Sequence, residues 1–534
     1  MKVGLFISRD SGGISDVIDV DALAHAYSHL AVTNICDNFF SFPDQQTIIS
    51  AVQDMALEGV VLAGNSPKYY QRMLHGDGIL QAIRQSGINE NRIAFANIKE
   101  QAALPHTGDP ETATRKATAF IDIALSRLEL CHPIDSIPVS PRRSVLVVGT
   151  TIGGLIAAHM LLERGYTVYL VEKWNRMHVQ DDGPEELAPI KAAILAHEKA
   201  HIFMEADLDE FIGWCGDYAV TISHHDGFEE MAIGGVIIAV GEDKDKIEEI
   251  RKTMQLDTDK DGFFRGIYKK NSIGRTHDPG IWFIPVGQTD ELFVSEAQGA
   301  GLAVTALTTL LDKQDAQHPV LTSEVDDSLC GGCGTCVKTC GFAASSIDMV
   351  EKISHIDPKR CKGCGNCVVA CPTGARDLMT FPEKQIIKAI DILSRCVTTN
   401  GAPKILSILC ANCGYPAADL AGMLTKQQPD TSYPSNLMPV MVECGGNVDT
   451  QYILQAFRDG FDGVAITICK DMHCHYIVGN MDLERRLGLF RDVLRSRNIN
   501  DDRLRIVHVS SEDGEDFLHD MNAFSKELTA IQNA

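Results

Sequence analysis

The sequence has no apolar run approaching the roughly 18 residues that a membrane-spanning helix needs. We also expect no signal peptide, because the sequence MKVGLFISRD passes directly into a strand pattern. Positive charge is scarce: 48 lysines and arginines face 72 aspartates and glutamates, a net charge of −24. This deficit argues against nucleic acid or an anionic membrane surface as a partner. We therefore expect a cytoplasmic protein without a membrane span, whose partners are other proteins.

Apart from one duplicated cysteine motif, the sequence has no internal repeat and no low-complexity segment. No general base, nucleophile or substrate pocket stands out, so we expect no substrate chemistry from this chain alone. Its 534 residues are enough for roughly three or four domains. Cysteine, in contrast, is abundant, and 17 cysteines in a chain of this length favour metal sites over disulfides.

Eight of the cysteines form two runs with the pattern C-x2-C-x2-C-x3-C, the ligand pattern of a ferredoxin domain with two [4Fe–4S] clusters. Glycines inside each run permit the tight turns that wrapping a cluster requires. We expect the fourth cysteine of each run to start a helix that points at the other cluster. The first cluster is therefore assigned to Cys330, Cys333, Cys336 and Cys371, and the second to Cys361, Cys364, Cys367 and Cys340. Zinc is the alternative metal for these thiols.

Residues 144–173 have the layout of a dinucleotide-binding βαβ unit, in which a second strand ends in an acidic residue. The fingerprint glycines are Gly149, Gly153 and Gly154, but Thr151 replaces the glycine that lets the backbone approach a pyrophosphate. Glu172 stands where an acidic residue would bind a ribose hydroxyl. Two interpretations stay open: the domain binds FAD, or it has kept its packing and lost the cofactor.

Five further cysteines follow predicted strands near the end of the chain. They are Cys410, Cys413, Cys444, Cys469 and Cys474. Because ligands gather beyond the carboxyl ends of the strands in an open parallel sheet, we expect these thiols to meet in one crevice. A [2Fe–2S] centre needs four of them, which leaves one as a bystander. The alternatives are a set of buried thiols or a zinc site, for which His473 and His475 would be suitable neighbours.

These patterns predict an α/β multidomain chain. Its expected parts are an α/β domain at 1–140, a Rossmann-like FAD-type domain at 141–320, an inserted bacterial-type two-cluster ferredoxin domain at 321–380, and a C-terminal α/β iron–sulfur domain at 381–534. The stretch 132–143, which contains prolines, is predicted to be a linker.

Residues 1 to about 380 resemble the flavin-containing A subunit of heterodisulfide reductase. The resemblance depends on VVGTTIGGLIAA, FANIKEQ, SEAQGAG and the paired cysteine runs. Residues 400–534 resemble the small iron–sulfur D subunit of methyl-viologen-reducing hydrogenase, in CANCGYPAADLAG, VECGGNVD and ICKDMHCHYIVGN. The fusion is similar to the B subunit of the quinone-interacting membrane-bound oxidoreductase that serves sulfate reduction. The resemblance implies electron transfer between donor and acceptor modules, sometimes with flavin-based bifurcation.

The chain departs from the heterodisulfide reductase pattern at the ligands of a further cluster in the N-terminal domain. The positions of those cysteines carry Ser8, Asp10, Asn65 and Ala102. We therefore expect no metal there and a buried, unligated thiol at Cys36. The cysteines that usually follow the second Rossmann strand are also absent from EKWNRMHVQDDG.

We accordingly expect an electron-transfer subunit that relays electrons through two [4Fe–4S] clusters and one [2Fe–2S] cluster between partner subunits. The expected partners are other redox subunits, including a flavin-bearing paralogue of the heterodisulfide reductase type, and a membrane quinone-interacting subunit that would place the chain peripherally at the inner membrane face. One alternative is a flavin-containing, bifurcating reductase core. Another is a scaffold that docks a flavin-bearing subunit.

Overall fold

A computed structural model describes the whole chain except residues 73–77, 178–184, 255, 257, 259–260, 265–273, 277, 286–291, 314–315, 397–401, 428–433, 472 and 534. Parts of two quoted segments, EKWNRMHVQDDG and ICKDMHCHYIVGN, therefore lie outside the described residues. The chain forms two compact units, one of Met1–Asp135 with Leu321–Ala534 and one of Ser136–Val320. We call these the first and the second unit. None of the described helices is long and apolar enough to cross a membrane.

The first unit opens with a four-stranded parallel sheet in the order β2-β1-β3-β4. Every residue of the central strands β1 and β3 is buried, which explains why their sequences are continuously apolar. The elements are β1 Val3–Ser8, α1 Val20–Ala26, β2 Val32–Cys36, α2 Phe42–Asp54, β3 Gly59–Gly64, α3 Pro67–Arg72, α4 Ile79–Gln85, β4 Ile93–Asn97 and α5 Pro110–Leu130.

In the second unit, a five-stranded sheet in the order β13-β12-β6-β7-β8 is parallel throughout, as expected of a Rossmann-like domain. A three-stranded antiparallel sheet, β9 to β11, is inserted before β12. The predicted linker is partly a strand, because β5 pairs with β14. The elements are β5 Ser136–Val139, β6 Ser144–Val148, α6 Ile152–Glu163, β7 Thr167–Glu172, α7 Leu187–Ala196, β8 Ala200–Met204, β9 Asp207–Trp214, β10 Asp217–His224, β11 Gly227–Ile233, β12 Gly235–Ile238, α8 Lys244–Met254, β13 Ile281–Phe283, α9 Leu292–Leu311 and β14 Ala316–Pro319.

The segment with the two cysteine runs belongs to the first unit and consists of short hairpin strands and two short helices. Its elements are β15 Ser323–Val325, α10 Thr335–Thr339, β16 Ser345–Ile347, β17 Ser354–Ile356, α11 Asn366–Val369 and β18 Arg376–Leu378. The prediction that the fourth cysteine starts a helix is wrong. Cys340 ends α10, and Cys371 lies beyond α11, because each helix spans the interval between the third and fourth cysteines.

The remainder of the first unit is a parallel sheet in the order β20-β19-β21-β22. Because neighbouring strands are parallel and start at paired positions, their carboxyl ends lie along one edge of the sheet. This edge includes Cys410 and Cys469. The elements are α12 Glu383–Ser394, β19 Ile405–Cys410, α13 Gly414–Gln427, β20 Leu437–Val442, α14 Thr450–Arg458, β21 Gly463–Cys469, α15 Gly479–Ser496, β22 Leu504–Val509 and α16 Gly514–Gln532.

The two sheets of the first unit share one hydrophobic core, an arrangement that the sequence did not predict. Helix α5 packs against α12, and buried Lys116 of α5 donates from Nζ to the carbonyl oxygen of Leu437 at 2.8 Å. A buried polar network also crosses the contact, in which Asp419 of α13 accepts hydrogen bonds from Asn97 and Gln101 at 2.9 and 2.7 Å. Because the N-terminal sheet completes this core, it is part of the body that carries the cysteine sites.

Candidate metal centres and nucleotide site

The two cysteine runs form two cavities, each lined by three cysteines of one run and one of the other. The first is lined by Cys330, Cys333, Cys336 and Cys371, and the second by Cys340, Cys361, Cys364 and Cys367. This grouping is the one assigned from the sequence. Gly334 and Gly365 adopt left-handed conformations, with φ of 73° and 80°, and thereby turn the chain into α10 and α11.

Hydrogen-bond donors point at sulfur in both cavities. In the first, the Ser354 amide lies 3.4 Å from Cys330 Sγ, and the Thr335 hydroxyl lies 3.3 Å from Cys333 Sγ. In the second, the Ala344 amide lies 3.3 Å from Cys340 Sγ. The Thr335 hydrogen bond lowers the pKa of the Cys333 thiol. Because hydrogen bonds to sulfur favour the thiolate that ligates metal, both cavities fit an iron–sulfur cluster.

The five C-terminal cysteines form one continuous group of thiols at the carboxyl edge of the second sheet of the first unit. Cys410 Sγ lies 3.9 Å from Cys469 Sγ, and Cys444 Sγ lies 4.0 Å from Cys474 Sγ. Hydrogen bonding between Cys469 and Cys474 connects the two pairs, and Cys413 contacts both Cys410 and Cys469. The structure therefore separates none of the five from the others and does not single out a bystander.

Hydrogen bonds within the C-terminal group shift the pKa values of its thiols in opposite directions. Hydrogen bonds, first from Cys444 and then from Cys469, lower the pKa of Cys474 to about 3, while hydrogen bonding to Cys413 raises the pKa of Cys410 to about 12. Backbone amides of Gly414 and Gly446 donate to Cys410 Sγ and Cys444 Sγ at 3.2 and 3.4 Å. Thiolates with amide donors are suited to a metal centre.

His475 joins the group, whereas His473 is exposed. A ring nitrogen of His475 lies within 4.8 Å of the sulfur atoms of Cys413 and Cys469. The donor set therefore fits a sulfur-ligated iron centre, and it also fits a zinc ion with one histidine ligand. The sequence suggested His475 only as a neighbour of Cys474, because its position relative to the other strand ends depends on the fold.

The second ferredoxin-type cavity adjoins the C-terminal thiols. A Cβ atom on Gly365 would lie 2.5 Å from Asn447 Oδ1, so the two loops pack as closely as a glycine allows. The next residue, Asn366, donates to the Asp482 carboxylate, and Arg486 donates to Asn366 Oδ1 at 3.4 Å. Cys364 is close enough to Cys444 to help raise its pKa, after the larger effect of the Cys474 hydrogen bond. The two sites are therefore neighbours in one compact body.

In the second unit, the fingerprint glycines have packing roles. Gly149 has a φ of 98°, and a Cβ there would lie 2.1 Å from the Ala239 carbonyl oxygen. A Cβ on Gly154 would lie 2.4 Å from the carbonyl oxygen of Gly149. Thr151 is the N-cap of α6 and its hydroxyl accepts from the Gly154 amide at 3.5 Å. The packing of the chain is therefore sufficient to explain these glycines and Thr151, and their presence does not require a bound nucleotide.

A carboxylate of the protein occupies the helix N-terminus where a pyrophosphate would bind. The Gly153 amide donates to Glu296 Oε2 of α9 at 2.7 Å, and Glu296 is buried. Helix N-termini bind anions through such amides, so a phosphate at this position would have to displace Glu296.

Glu172, the predicted ribose ligand, is also paired within the protein. Its Oε1 lies 2.9 Å from Lys246 Nζ in a buried ion pair, and its Oε2 accepts from the Thr150 amide at 3.0 Å. Burial acts to raise the Glu172 pKa, but Lys246 and Thr150 together hold it below its usual value. In this arrangement the described side chains do not fit FAD, because both anchor points already have partners.

The four N-terminal positions at which the resemblance to heterodisulfide reductase implies cluster cysteines carry polar or small groups. The Asp10 amide donates to Ser8 Oγ at 3.0 Å, and the Asp10 carboxylate lies 2.7 Å from Lys99 Nζ. Asn65 and Ala102 are buried. The expectation that the N-terminal domain holds no metal stays a prediction, whereas the burial of Cys36 is confirmed.

Comparisons with known proteins match two segments of the chain to two different family models. Residues 329–375 match the family model of the 4Fe-4S dicluster domain, a range that includes all eight paired cysteines. Residues 405–532 match the family model of the methyl-viologen-reducing hydrogenase delta subunit. This second range includes all five C-terminal cysteines.

Several curated relatives are A subunits of heterodisulfide reductases. The chain is 33% identical over 307 residues to the A subunit of the ferredoxin:CoB-CoM heterodisulfide reductase of Methanosarcina mazei, which is 57% of this chain and 37% of the relative. A ferredoxin/F420H2-dependent homologue from Methanosarcina acetivorans is 33% identical over 305 residues, with the same two shares. The resemblances to heterodisulfide reductase and to the hydrogenase are thereby confirmed, although the chain spans little more than a third of these relatives. The similarity to the quinone-interacting B subunit stays a prediction.

Among solved structures, the thioredoxin reductase from Giardia duodenalis is similar over 33% of this chain and 54% of its own length. Its sequence identity is 20% and its TM-score is 0.17, a likeness too weak to carry an argument. The Rossmann-like assignment therefore depends on the strand order and parallel pairing of the second unit.

Proposed function

We propose that this chain is an electron-transfer subunit of a multi-subunit oxidoreductase. In this proposal Cys330, Cys333, Cys336 and Cys371 ligate one [4Fe–4S] cluster, and Cys340, Cys361, Cys364 and Cys367 ligate a second. A [2Fe–2S] cluster takes four of the five C-terminal thiols. Clusters held by these cysteines would supply one-electron transfer, so the chain itself would form and break no substrate bond. The observation that carries the proposal is the grouping of thirteen thiols into three sites within one compact unit.

The contacts suggest an order for the relay. The loop of Gly365 and Asn366 places the second [4Fe–4S] site beside the C-terminal site, and Cys364 and Cys444 influence each other electrostatically. Cys333 in the first cavity is exposed. We infer that electrons pass between a partner at the first cluster and a partner at the C-terminal cluster by way of the second cluster.

The partners in this proposal are other redox subunits, including a flavin-bearing paralogue of the heterodisulfide reductase type, with a quinone-interacting protein as the membrane anchor. The names of the relatives support such an assembly, because they describe subunits of ferredoxin-linked reductases. The alternative of a bifurcating flavin core is disfavoured by Glu296 and Lys246, because they pair with the Gly153 amide and the Glu172 carboxylate that would otherwise bind the pyrophosphate and the ribose. A docking role for the second unit is compatible with the relay.

The proposal is tested by replacing Cys410 and Cys413 with serine in the native complex. The C-terminal signal in electron paramagnetic resonance should disappear, both [4Fe–4S] signals should remain, and electron exchange with one partner should stop. A Cys36→Ser variant is the matched control. The Cys36 thiol is buried, is distant in sequence from the three sites and is not a proposed ligand. Normal turnover by the doubly substituted complex would remove the C-terminal centre from the pathway.

A further inference from the structure

Arg376, the first residue of β18, lines both of the cavities that the paired cysteine runs form. Its side chain is buried, with the residue only 4% exposed. Among the described residues, no carboxylate lies within ion-pairing distance of its guanidinium group. A buried cation without an anionic partner is costly, so the neutralising charge has to come from another source.

The guanidinium group contacts the second cavity directly. Nη1 lies 3.6 Å from Cys367 Sγ, a ligand position of the second cluster, and 3.5 Å from Ser323 Oγ. An arginine is always protonated, so the contact brings a fixed positive charge to this sulfur.

Arg376 reaches the first cavity through one serine. Nη2 donates to Ser354 Oγ, which lies 3.2 Å from Cys336 Sγ, and the Ser354 amide donates to Cys330 Sγ. The Ser354 hydroxyl also donates to the Ser346 carbonyl oxygen at 3.1 Å, so this oxygen and Cys336 Sγ share its one proton. The contacts still form a continuous path from Cys336 through Ser354 and Arg376 to Cys367. Among the described residues, Arg376 alone lines both cavities.

We propose that Arg376 is a shared electrostatic determinant of the two [4Fe–4S] clusters, an inference that rests on the proposed function. A cluster with four thiolate ligands is anionic and becomes more so on reduction, and its potential depends on net charge and on hydrogen bonds to sulfur. A fixed cation between the clusters stabilises both reduced forms and raises both potentials. The effect is larger at the second cluster, which Arg376 contacts without an intermediary.

The test compares four variants of the full chain by redox titration followed with electron paramagnetic resonance. In Arg376→Met the reduced-to-oxidised ratio of the second cluster at fixed ambient potential should fall at least tenfold, which is about 59 mV for a one-electron couple. The first cluster should shift in the same direction by less. Arg376→Lys keeps the charge and should recover part of both shifts.

Ser354→Ala separates the two routes and protects the test against loss of the Arg376→Met protein. It should lower the potential of the first cluster and leave the second within error. Arg395→Met is the matched control, because Arg395 is paired with Asp391 and lines neither cavity. Unchanged potentials in Arg376→Met protein that retains eight cubane irons would overturn the role of Arg376 alone, as would an Arg376→Lys shift as large as the Arg376→Met shift. A wild-type chain without those irons would instead overturn the proposed function.

Discussion

The thiol sites of the first unit and the nucleotide site of the second unit are both indicated by sequence motifs, but their chemical states differ. In the thiol sites, amide and hydroxyl groups point at sulfur, and the C-terminal thiols also contact one another. In the nucleotide site, Glu296 accepts a hydrogen bond from the Gly153 amide at the start of α6, and Lys246 forms an ion pair with Glu172. A motif thus predicts a fold in both units, whereas the partners already present at each polar group decide whether a ligand fits.

The largest expected effect concerns the thiol sites. Replacing Cys336 and Cys367 with serine removes one buried ligand from each [4Fe–4S] cluster, so the iron content should fall from about ten to about two per chain. Iron and acid-labile sulfide are measured on anaerobic protein. Cys396→Ser, at a buried cysteine outside the three sites, should leave both values unchanged. Retention of all the iron in the double variant would break the ligand assignment.

The two units should also differ in their response to pH. Burial and the nearby Asp419 raise the pKa of Glu100 to about 7, whereas the paired Glu172 has a lowered pKa. Protonated Glu100 therefore stabilises the first unit. This contribution to the unfolding free energy is fully present below the unfolded pKa of Glu100 and is lost as the pH rises through about 7. Glu172 contributes its stability above its unfolded pKa and loses it only in acid. The Glu100 effect is on the order of 3 kcal/mol.

Anaerobic guanidinium unfolding at pH 5 and pH 8 measures this effect. The first unit should be less stable at pH 8, and Glu100→Gln should remove most of the difference. Glu90→Gln is the control, because Glu90 is a surface residue that pairs with Arg84. The same pH difference in the Glu100→Gln protein would contradict the assignment.

A smaller effect is expected where the second cluster meets the C-terminal site. Gly365→Ala introduces a Cβ 2.5 Å from Asn447 Oδ1, whereas Gly334→Ala, at a similar φ, places a Cβ with nothing within 4 Å. Both variants incur the backbone cost, but only Gly365→Ala should incur the overpacking cost of ~1–3 kcal/mol. Unfolding free energies measure the difference. Equal values would show that the two loops do not pack as described.

The smallest expected effect is at the nucleotide site. Glu296→Ala frees the Gly153 amide, so the affinity for FAD should rise about tenfold, as followed by quenching of flavin fluorescence. Lys246 is left intact, because its removal would leave Glu172 as an unpaired buried charge. Glu163→Ala at the exposed end of α6 is the control. Stoichiometric flavin in the unaltered chain would show that Glu296 does not block the site.

The sequence was informative where a feature is local. The central strands are apolar because they are buried on both faces, and the cysteine spacing is set by the loop that surrounds each cavity. It was not informative where partners are distant in the chain. Glu296 is 143 residues from Gly153, and the joining of the N-terminal sheet to the C-terminal sheet depends on helix faces that do not specify their partner. Spacing alone also could not place the short helices before the fourth cysteines.

The most direct test of the relay is the content of iron, acid-labile sulfide, zinc and flavin in the anaerobically prepared chain. The account predicts about ten irons per chain, four in each of two clusters and two in the third, with no zinc and no bound flavin. About eight irons with one zinc would make the C-terminal group a zinc site and end the relay at the [4Fe–4S] clusters. One flavin per chain would contradict the assignment of the second unit.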